Sequence, residues 1–398
     1  MINSDFLYNM FTANGAGFFT GVPDSLLKSF CAYITDHTPE THHITAVNEG
    51  AAIALASGYH LAAGKIPLVY MQNSGIGNAV NPLLSLADGD VYSIPMILLV
   101  GWRGEPGVKD EPQHVTQGKV TCALFDAMGI PYLILSDDED TARSQVEECF
   151  AHVKKNNTPF ALIVRKDTFA PYTLTGTDTV RARFIAPPEQ EMSREEAIEE
   201  IVKLSSSDEI FVSTTGMASR ELYELREKYN MGHERDFLTV GSMGHASSLA
   251  LAIALQKPNR QVICIDGDGA ALMHMGSMAA VGVSKPANLL HIVLNNHAHD
   301  SVGGQPTIAG RIDLAGIARS CGYAHVYSVN TAEELRMVLN DVSKTYCKGV
   351  ACNVPLDDDK QAGTVFIEVL VRKGNRKDLG RPKSTPRENK EMFMRFVN

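Results

Sequence analysis

Two doubly wound parallel sheets, each flanked by helices, make up the α/β fold class that the sequence predicts, and three observations predict it. Short apolar runs alternate with helical patterns along the chain. The alternation lapses once, between about 168 and 192, in a polar stretch holding Pro171, Pro187 and Pro188 that is too long for a routine connection. Finally, 398 residues exceed what one hydrophobic core serves well, and each half is large enough to bury its own.

In chain order, residues 18–22, 43–47, 67–71 and 96–100 read as strands, each followed by a candidate helix. Leu133, Leu135 and the run 160–164 add later strands. Residues 1–170 form the first expected domain, 171–192 the linker and 193–398 the second domain. The pattern resumes there with a helix at 193–204 and strands at 209–213, 237–240, 261–265 and 289–294. No residue-level repeat relates the halves. After Val371 the chain turns basic, with Arg372, Lys373, Arg376, Lys377, Arg381, Lys383 and Arg387, and reads as a solvated arm or a subunit-contact segment.

Hydrophobic residues make up 44% and charged residues 21%, an ordinary globular balance. The net charge of −10 speaks against a nucleic-acid face or an anionic membrane partner, so an anionic ligand needs a local basic pocket. The N-terminus lacks the basic and apolar regions of a signal peptide, and no apolar run is long enough to span a bilayer; a cytoplasmic address is expected. The seven cysteines are odd in number and scattered, which argues for core thiols over a disulfide framework. Cys347 and Cys352 lie close but lack a second ligand pair for zinc.

The apolar strand around Ile263-Cys264-Ile265 runs into Asp266-Gly267-Asp268-Gly269, with a helix read over 270–280. Flanking glycines let backbone approach a ligand, and the helix N-terminus favours phosphate. A carboxylate beside a diphosphate requires a cation between them. The next strand ends at Asn295-Asn296, and one right-handed crossover returns it to the same sheet edge. Asp268, Asn296 and the Ala298 carbonyl, with a water and two phosphate oxygens, would complete an octahedral magnesium site.

Gly-Asp-Gly followed at this spacing by Asn-Asn resembles the metal-diphosphate motif of thiamine diphosphate enzymes. The resemblance spans nearly the whole chain but lacks the third, central domain of many longer members. It implies a cofactor-activating half and a diphosphate-binding half, with Gly267, Asp268, Gly269, Ala270 and Asn296 on the diphosphate and metal. Glu49, which follows the strand at 43–47 and opens a helix, matches the carboxylate that hydrogen-bonds the pyrimidine ring; on its own it reads as a helix-start residue. Met243 in Gly241-Ser242-Met243-Gly244 matches the apolar wedge that bends the cofactor, and Gly241, Ser242 and Asn73 match further cofactor contacts. Family members build sites between subunits, which implies a homodimer or larger homo-oligomer.

The stretch from Gly101 to His114 follows the strand at 96–100 and joins Trp102, Arg103, Lys109 and His114. With Asp300-Ser301-Val302-Gly303-Gly304, it resembles the phosphonopyruvate-decarboxylating branch of the family; sulfopyruvate-decarboxylating relatives are close in design. The implied substrate is a small anionic 2-oxo acid, converted from 3-phosphonopyruvate to phosphonoacetaldehyde and carbon dioxide. Arg103, Lys109, His114 and Ser301 are the candidate substrate ligands, Arg103 offering a planar fork and Lys109 a point charge. A surface loop whose cations are compensated by Glu105, Asp110 and Glu111 is the alternative. His114 is a candidate proton relay or a structural histidine. Asp24 is a candidate acid near the reacting carbon or the N-cap of a helix from Ser25. Two rivals remain: a nicotinamide dehydrogenase using Gly75-Ile76-Gly77, which lacks the third glycine and a ribose-binding acid, and a non-catalytic cofactor-binding subunit.

Overall fold

The computed structural model describes residues 1–175, 192–350 and 363–398. The chain divides into two compact units, Met1–Thr179 with Ser301–Pro306, and Val180–Asp300 with Thr307–Asn398. Most of the expected linker, and Cys352 with the side chain of Cys347, lie outside the described residues. Cys31, Cys122, Cys149, Cys264 and Cys321 are free thiols. Among the described residues no helix is long and apolar enough to cross a membrane.

In the first unit, strands β1 (Ala16–Gly21), β2 (His43–Thr45), β3 (Ile66–Gln72), β4 (Ile97–Gly101), β5 (Tyr132–Ile134) and β6 (Phe160–Val164) pair in the order β2-β1-β3-β4-β6-β5. Every pairing is parallel. Alternate residues serve opposite faces. Leu68, Tyr70, Ile97 and Leu99 join one core with α1 (Ser4–Asn14), α2 (Lys28–His37) and α6 (Glu139–Asn156). Val69, Met71, Leu98 and Val100 join another with α3 (Glu49–Ala63), α4 (Ile76–Pro82) and α5 (Pro112–Met128). A strand buried on both faces must read as a continuous apolar run, which is why β3, β4 and β6 were legible.

The second unit's sheet holds β7 (Ile210–Ser213), β8 (Asp236–Leu238), β9 (Val262–Gly267), β10 (Leu289–Asn295), β11 (His325–Val329) and β12 (Val365–Leu370), in the order β11-β12-β10-β9-β7-β8. Read from the opposite edge, its strands follow the same succession as those of the first sheet. The two halves therefore share a topology without sharing a sequence pattern. Each sheet reverses its winding beside its first strand, between β1 and β3 and between β7 and β9. Loops at the carboxyl ends there splay apart and leave a crevice for ligands.

Helix α7 (Arg194–Leu204) starts where expected, with Ser193 and Glu196 forming a reciprocal capping box. The helix read over 270–280 is instead two helices, α10 (Asp268–Met273) and α11 (Gly276–Ser284), separated at His274 and Met275. The basic tail is not a solvated arm. Helix α14 (Pro386–Val397) docks on β8, where Asn389 accepts from the Leu238 amide and donates to the Asp236 carbonyl. Arg376 pairs with Glu195 and Glu224, Arg372 with Glu196, and Lys383 with Glu227.

Candidate cofactor and substrate site

At the second sheet's carboxyl edge, Leu294 of β10 lies in register with Gly267 of β9, so the turns holding Asp268 and Asn296 leave the sheet side by side. Asp268 is 3% exposed, and burial pushes its carboxyl up to about 7. The Thr307 hydroxyl donates to its Oδ2 at 2.5 Å, and no Lys or Arg among the described residues pairs with it. A sealed carboxylate without a cation is costly, and a divalent ion would answer it.

The surrounding backbone fits a diphosphate. Helices α8 (Met217–Lys228), α9 (Ala246–Gln256) and α10 begin after β7, β8 and β9, and none has a side-chain cap bonding its first turn. The leading N–H groups of α8 and α9 are thus available to an anion, while those of Asp268 and Gly269 in α10 bond the Asp268 carboxylate. A Cβ added at Gly216 or Gly267 would meet nothing within 4 Å, so the backbone there is open to a ligand. Thr214 Oγ1, at the end of β7, and His274 Nε2, between α10 and α11, are buried without a partner. These observations meet what a metal diphosphate requires.

Gly241 (φ 75°), Ser242 (φ 47°) and Gly244 (φ 86°) turn the chain sharply around half-buried Met243. Gly269 leaves room for both Met243 and the half-buried His299 ring, whose carbon would stand 3.0 Å from an added Cβ. A further cluster, Cys264, Asp266 and His291, lies buried within the sheet with ligand atoms within 4.8 Å of one another. Its soft and nitrogen donors suit magnesium poorly.

In the first unit, Glu49 is the first residue of α3, and Asn48 caps the helix by accepting from the Ala51 amide. Glu49 is buried, and Asn78 donates to its Oε2 at 2.7 Å. A Cβ at Gly75 would lie 2.3 Å from Glu49 Oε1, so that glycine makes space for the carboxylate. The segment read as a possible dinucleotide loop therefore frames Glu49. Asn73, also buried, donates to the Arg103 carbonyl at 2.8 Å and to Thr121 at 2.9 Å, tying the ends of β3 and β4 together.

Asp24 is fully buried at the β1–β3 crevice, taking Gln72 Nε2 at 2.6 Å and the Leu26 amide at 2.8 Å. It closes a turn and is not the N-cap of a helix from Ser25, because α2 begins at Lys28. Arg103 is bound twice by Asp110, Nε to Oδ2 at 2.8 Å and NH2 to Oδ1 at 2.5 Å, while NH1 reaches Ser25 at 2.7 Å. Asp110 also receives the Gly104 and Glu111 amides and lies 2.9 Å from His114 Nδ1. Burial alone would raise its carboxyl, yet bonds from Arg103, His114 and the two amides hold it well below the usual carboxylate range. Part of the compensated-charge reading is thus realised, since Asp110 engages the Arg103 fork, whereas Glu105 pairs instead with Arg165 at 2.8 Å. Lys109 is exposed. Ser301 belongs to the first unit and is also exposed. Sequence reasoning missed Asn78, Gln72 and the organising role of Asp110, because none lies in a spacing that announces its partner.

Residues 1–128 match the family model for the thiamine pyrophosphate enzyme N-terminal TPP binding domain, and residues 214–351 match the C-terminal TPP binding domain. A phosphonopyruvate decarboxylase of Streptomyces viridochromogenes is 34% identical across all of this chain and 95% of its own length. One from Streptomyces hygroscopicus is 34% identical, covering 94% of that protein. A sulfopyruvate decarboxylase of Methanosarcina acetivorans is 29% identical over 78% of this chain and 80% of that protein.

Proposed function

Because this chain belongs to the phosphonopyruvate decarboxylase family of thiamine pyrophosphate enzymes, we propose that it converts 3-phosphonopyruvate to phosphonoacetaldehyde and carbon dioxide. The observation that carries the reading is identity of 34% over the whole chain to relatives of that name, against 29% over 78% of it to a sulfopyruvate relative. Both thiamine pyrophosphate domains lie on one chain. With Glu49 and Asp268 present together, a dehydrogenase or an inert cofactor-binding subunit is the poorer account.

Asp268, Asn296 and the Ala298 carbonyl are the residues to hold magnesium, with Gly267, Gly269, Ala270 and the open first turns of α8 and α9 toward the diphosphate. When bound, thiamine diphosphate would supply a nucleophilic ring carbon and an electron sink for the bonding pair that remains when carbon dioxide leaves. Glu49 would hydrogen-bond a pyrimidine nitrogen, its carboxylate fixed by Asn78 and given room by Gly75. Gly241 and Ser242 would present backbone to the cofactor and Met243 would pack against it as an apolar wedge, while Asn73 would contact it from the joined ends of β3 and β4.

Arg103 meets the phosphonate with the N–H groups that Asp110 and Ser25 leave over, and Lys109 and Ser301 add a charge and a donor at the rim. Both Asp24 oxygens already accept N–H bonds, so Asp24 orders the crevice. His114, with Nδ1 on Asp110, uses Nε2 to deliver the proton that replaces carbon dioxide on carbon. A homodimer or larger assembly in the cytoplasm completes the reading.

The test is carbon dioxide release by purified protein with magnesium, thiamine diphosphate and either phosphonopyruvate or sulfopyruvate, with light scattering for the assembly. Turnover of phosphonopyruvate, at a kcat/KM at least about tenfold higher than for sulfopyruvate, is expected. The reverse preference would overturn the substrate assignment and leave the decarboxylase chemistry intact.

A further inference from the structure

We propose that Asp300 is a positioning residue for the cation site: it locks the side-chain amide of Asn296 so that the amide oxygen faces the metal. The inference rests on the reading of Asn296 as a metal ligand given above. It adds two residues outside that site, Asp300 and Arg194, and a reason for the order in which their charges are stacked.

Asn296 Nδ2 lies 2.6 Å from Asp300 Oδ2. A carboxylate can only accept, so the group facing Asp300 must be the NH2 of the amide. On the other side, the Ala298 amide donates to Asn296 Oδ1 at 3.0 Å, which again requires the oxygen there. The two contacts demand the same orientation. A flipped amide would set oxygen against carboxylate and NH2 against N–H, losing two bonds in a residue only 4% exposed. One lone pair of Oδ1 remains for a cation.

Asp300 is itself held. Its Oδ2 also accepts Arg194 NH1 at 3.1 Å and the Gly374 amide at 3.0 Å. Arg194, the first residue of α7, turns the rest of its fork on Glu221 of α8, with Nε to Oε2 at 2.7 Å and NH2 to Oε1 at 2.9 Å. The row Glu221, Arg194, Asp300, Asn296 is thus buried except at half-buried Asp300, and it alternates in charge until it reaches the neutral amide. The guanidinium between the two carboxylates holds Asp300 in place, so the Asn296 amide is oriented by the end of a bonded chain. Orienting partners of this kind typically change metal affinity by about 10-fold to 100-fold.

The measurement is Mn2+ binding by electron paramagnetic resonance, in the presence of thiamine diphosphate, with apo-protein melting curves run alongside. Asp300→Ala is expected to weaken Mn2+ about 10-fold or more. Asp300→Asn keeps an acceptor for the Asn296 NH2 and is expected to stay within about threefold of wild type. Wild-type affinity in Asp300→Ala, or equal loss in both variants, would overturn the proposal, the second because charge and not the amide lock would then be responsible. If Asp300→Ala does not fold, a 10-fold loss in Asp300→Asn alone overturns it. Asp268→Ala serves as the separate check: Mn2+ binding unchanged in that variant defeats the cation-site reading, whatever Asp300 does.

Discussion

Asn78 donates to Glu49 Oε2 at 2.7 Å, while the bare Cα of Gly75 faces the other carboxylate oxygen. The carboxylate is thereby fixed by one residue's donor and another's missing side chain. Adding the methyl in Gly75→Ala places a carbon 2.3 Å from Oε1, so Glu49 must move. Decarboxylation is expected to fall about 10²-fold or more, approaching the loss in Glu49→Gln, since misplacing an acid–base group costs roughly that much. Gly77→Ala, whose added carbon meets nothing within 4 Å, is the control and should retain activity. Steady-state rates of the three variants check the ordering.

Asp110 gives an opposite-sign test of how Arg103 acts. If Asp110 merely cancelled the arginine, Asp110→Ala would strengthen the local positive field and lower KM for an anionic substrate. If it orients the fork, KM rises. A rise of about tenfold with kcat changed less than threefold is expected, because geometry and not net charge governs bidentate recognition. A fall in KM would reverse the role given to this pair.

The strands buried on both faces were legible because burial leaves them little choice of residue, and the Gly-Asp-Gly turn because backbone approach requires glycine. β11 and β12 were missed for physical reasons. β11 is largely half-buried, and β12 carries Glu368 in its middle, which reads as a break in the run. That glutamate is buried yet satisfied, taking Asn295 at 2.8 Å and Ser328 at 3.2 Å. Asn78 and the positioning role of Asp300 were silent for a related reason. Each acts through a partner that only the folded loops bring near, and a lone polar residue in a loop carries no period.

His43 on β2 supplies a pH dependence of known sign. Its Nε2 meets the Tyr70 hydroxyl at 2.8 Å, and burial pushes the imidazole down to about 4. The unfolded chain then binds more protons than the folded one between that value and the ordinary histidine range. Stability from the neutral ring is complete above about pH 6.5 and is lost as pH falls toward 4. Melting temperatures from pH 7.5 to 4.5 should decline less in His43→Gln than in wild type, by the equivalent of about 2 kcal/mol. Parallel pH profiles would show that the ring is not held neutral.

Arg226 and Asp236 are both fully buried in the second unit, joined by Nε to Oδ2 at 3.0 Å and NH2 to Oδ1 at 2.9 Å. The guanidinium also lies 4.5 Å above the Phe211 ring. Burial pushes the Asp236 carboxyl upward and Arg226 opposes it, so the arginine is what permits a charge there. Removing Arg226 alone strands that carboxyl, and Arg226→Met is expected to cost about 3–5 kcal/mol in urea unfolding. Replacing both partners, in Arg226→Met with Asp236→Leu, removes the stranded group along with the pair and should recover most of the loss. Because Asn389 of α14 donates to the Asp236 carbonyl and accepts from the Leu238 amide, neither bond uses the Asp236 side chain, and the double variant should keep the C-terminal helix docked. Limited proteolysis that released the tail from the double variant, but not from wild type, would show that the ion pair also holds β8 in register for that helix.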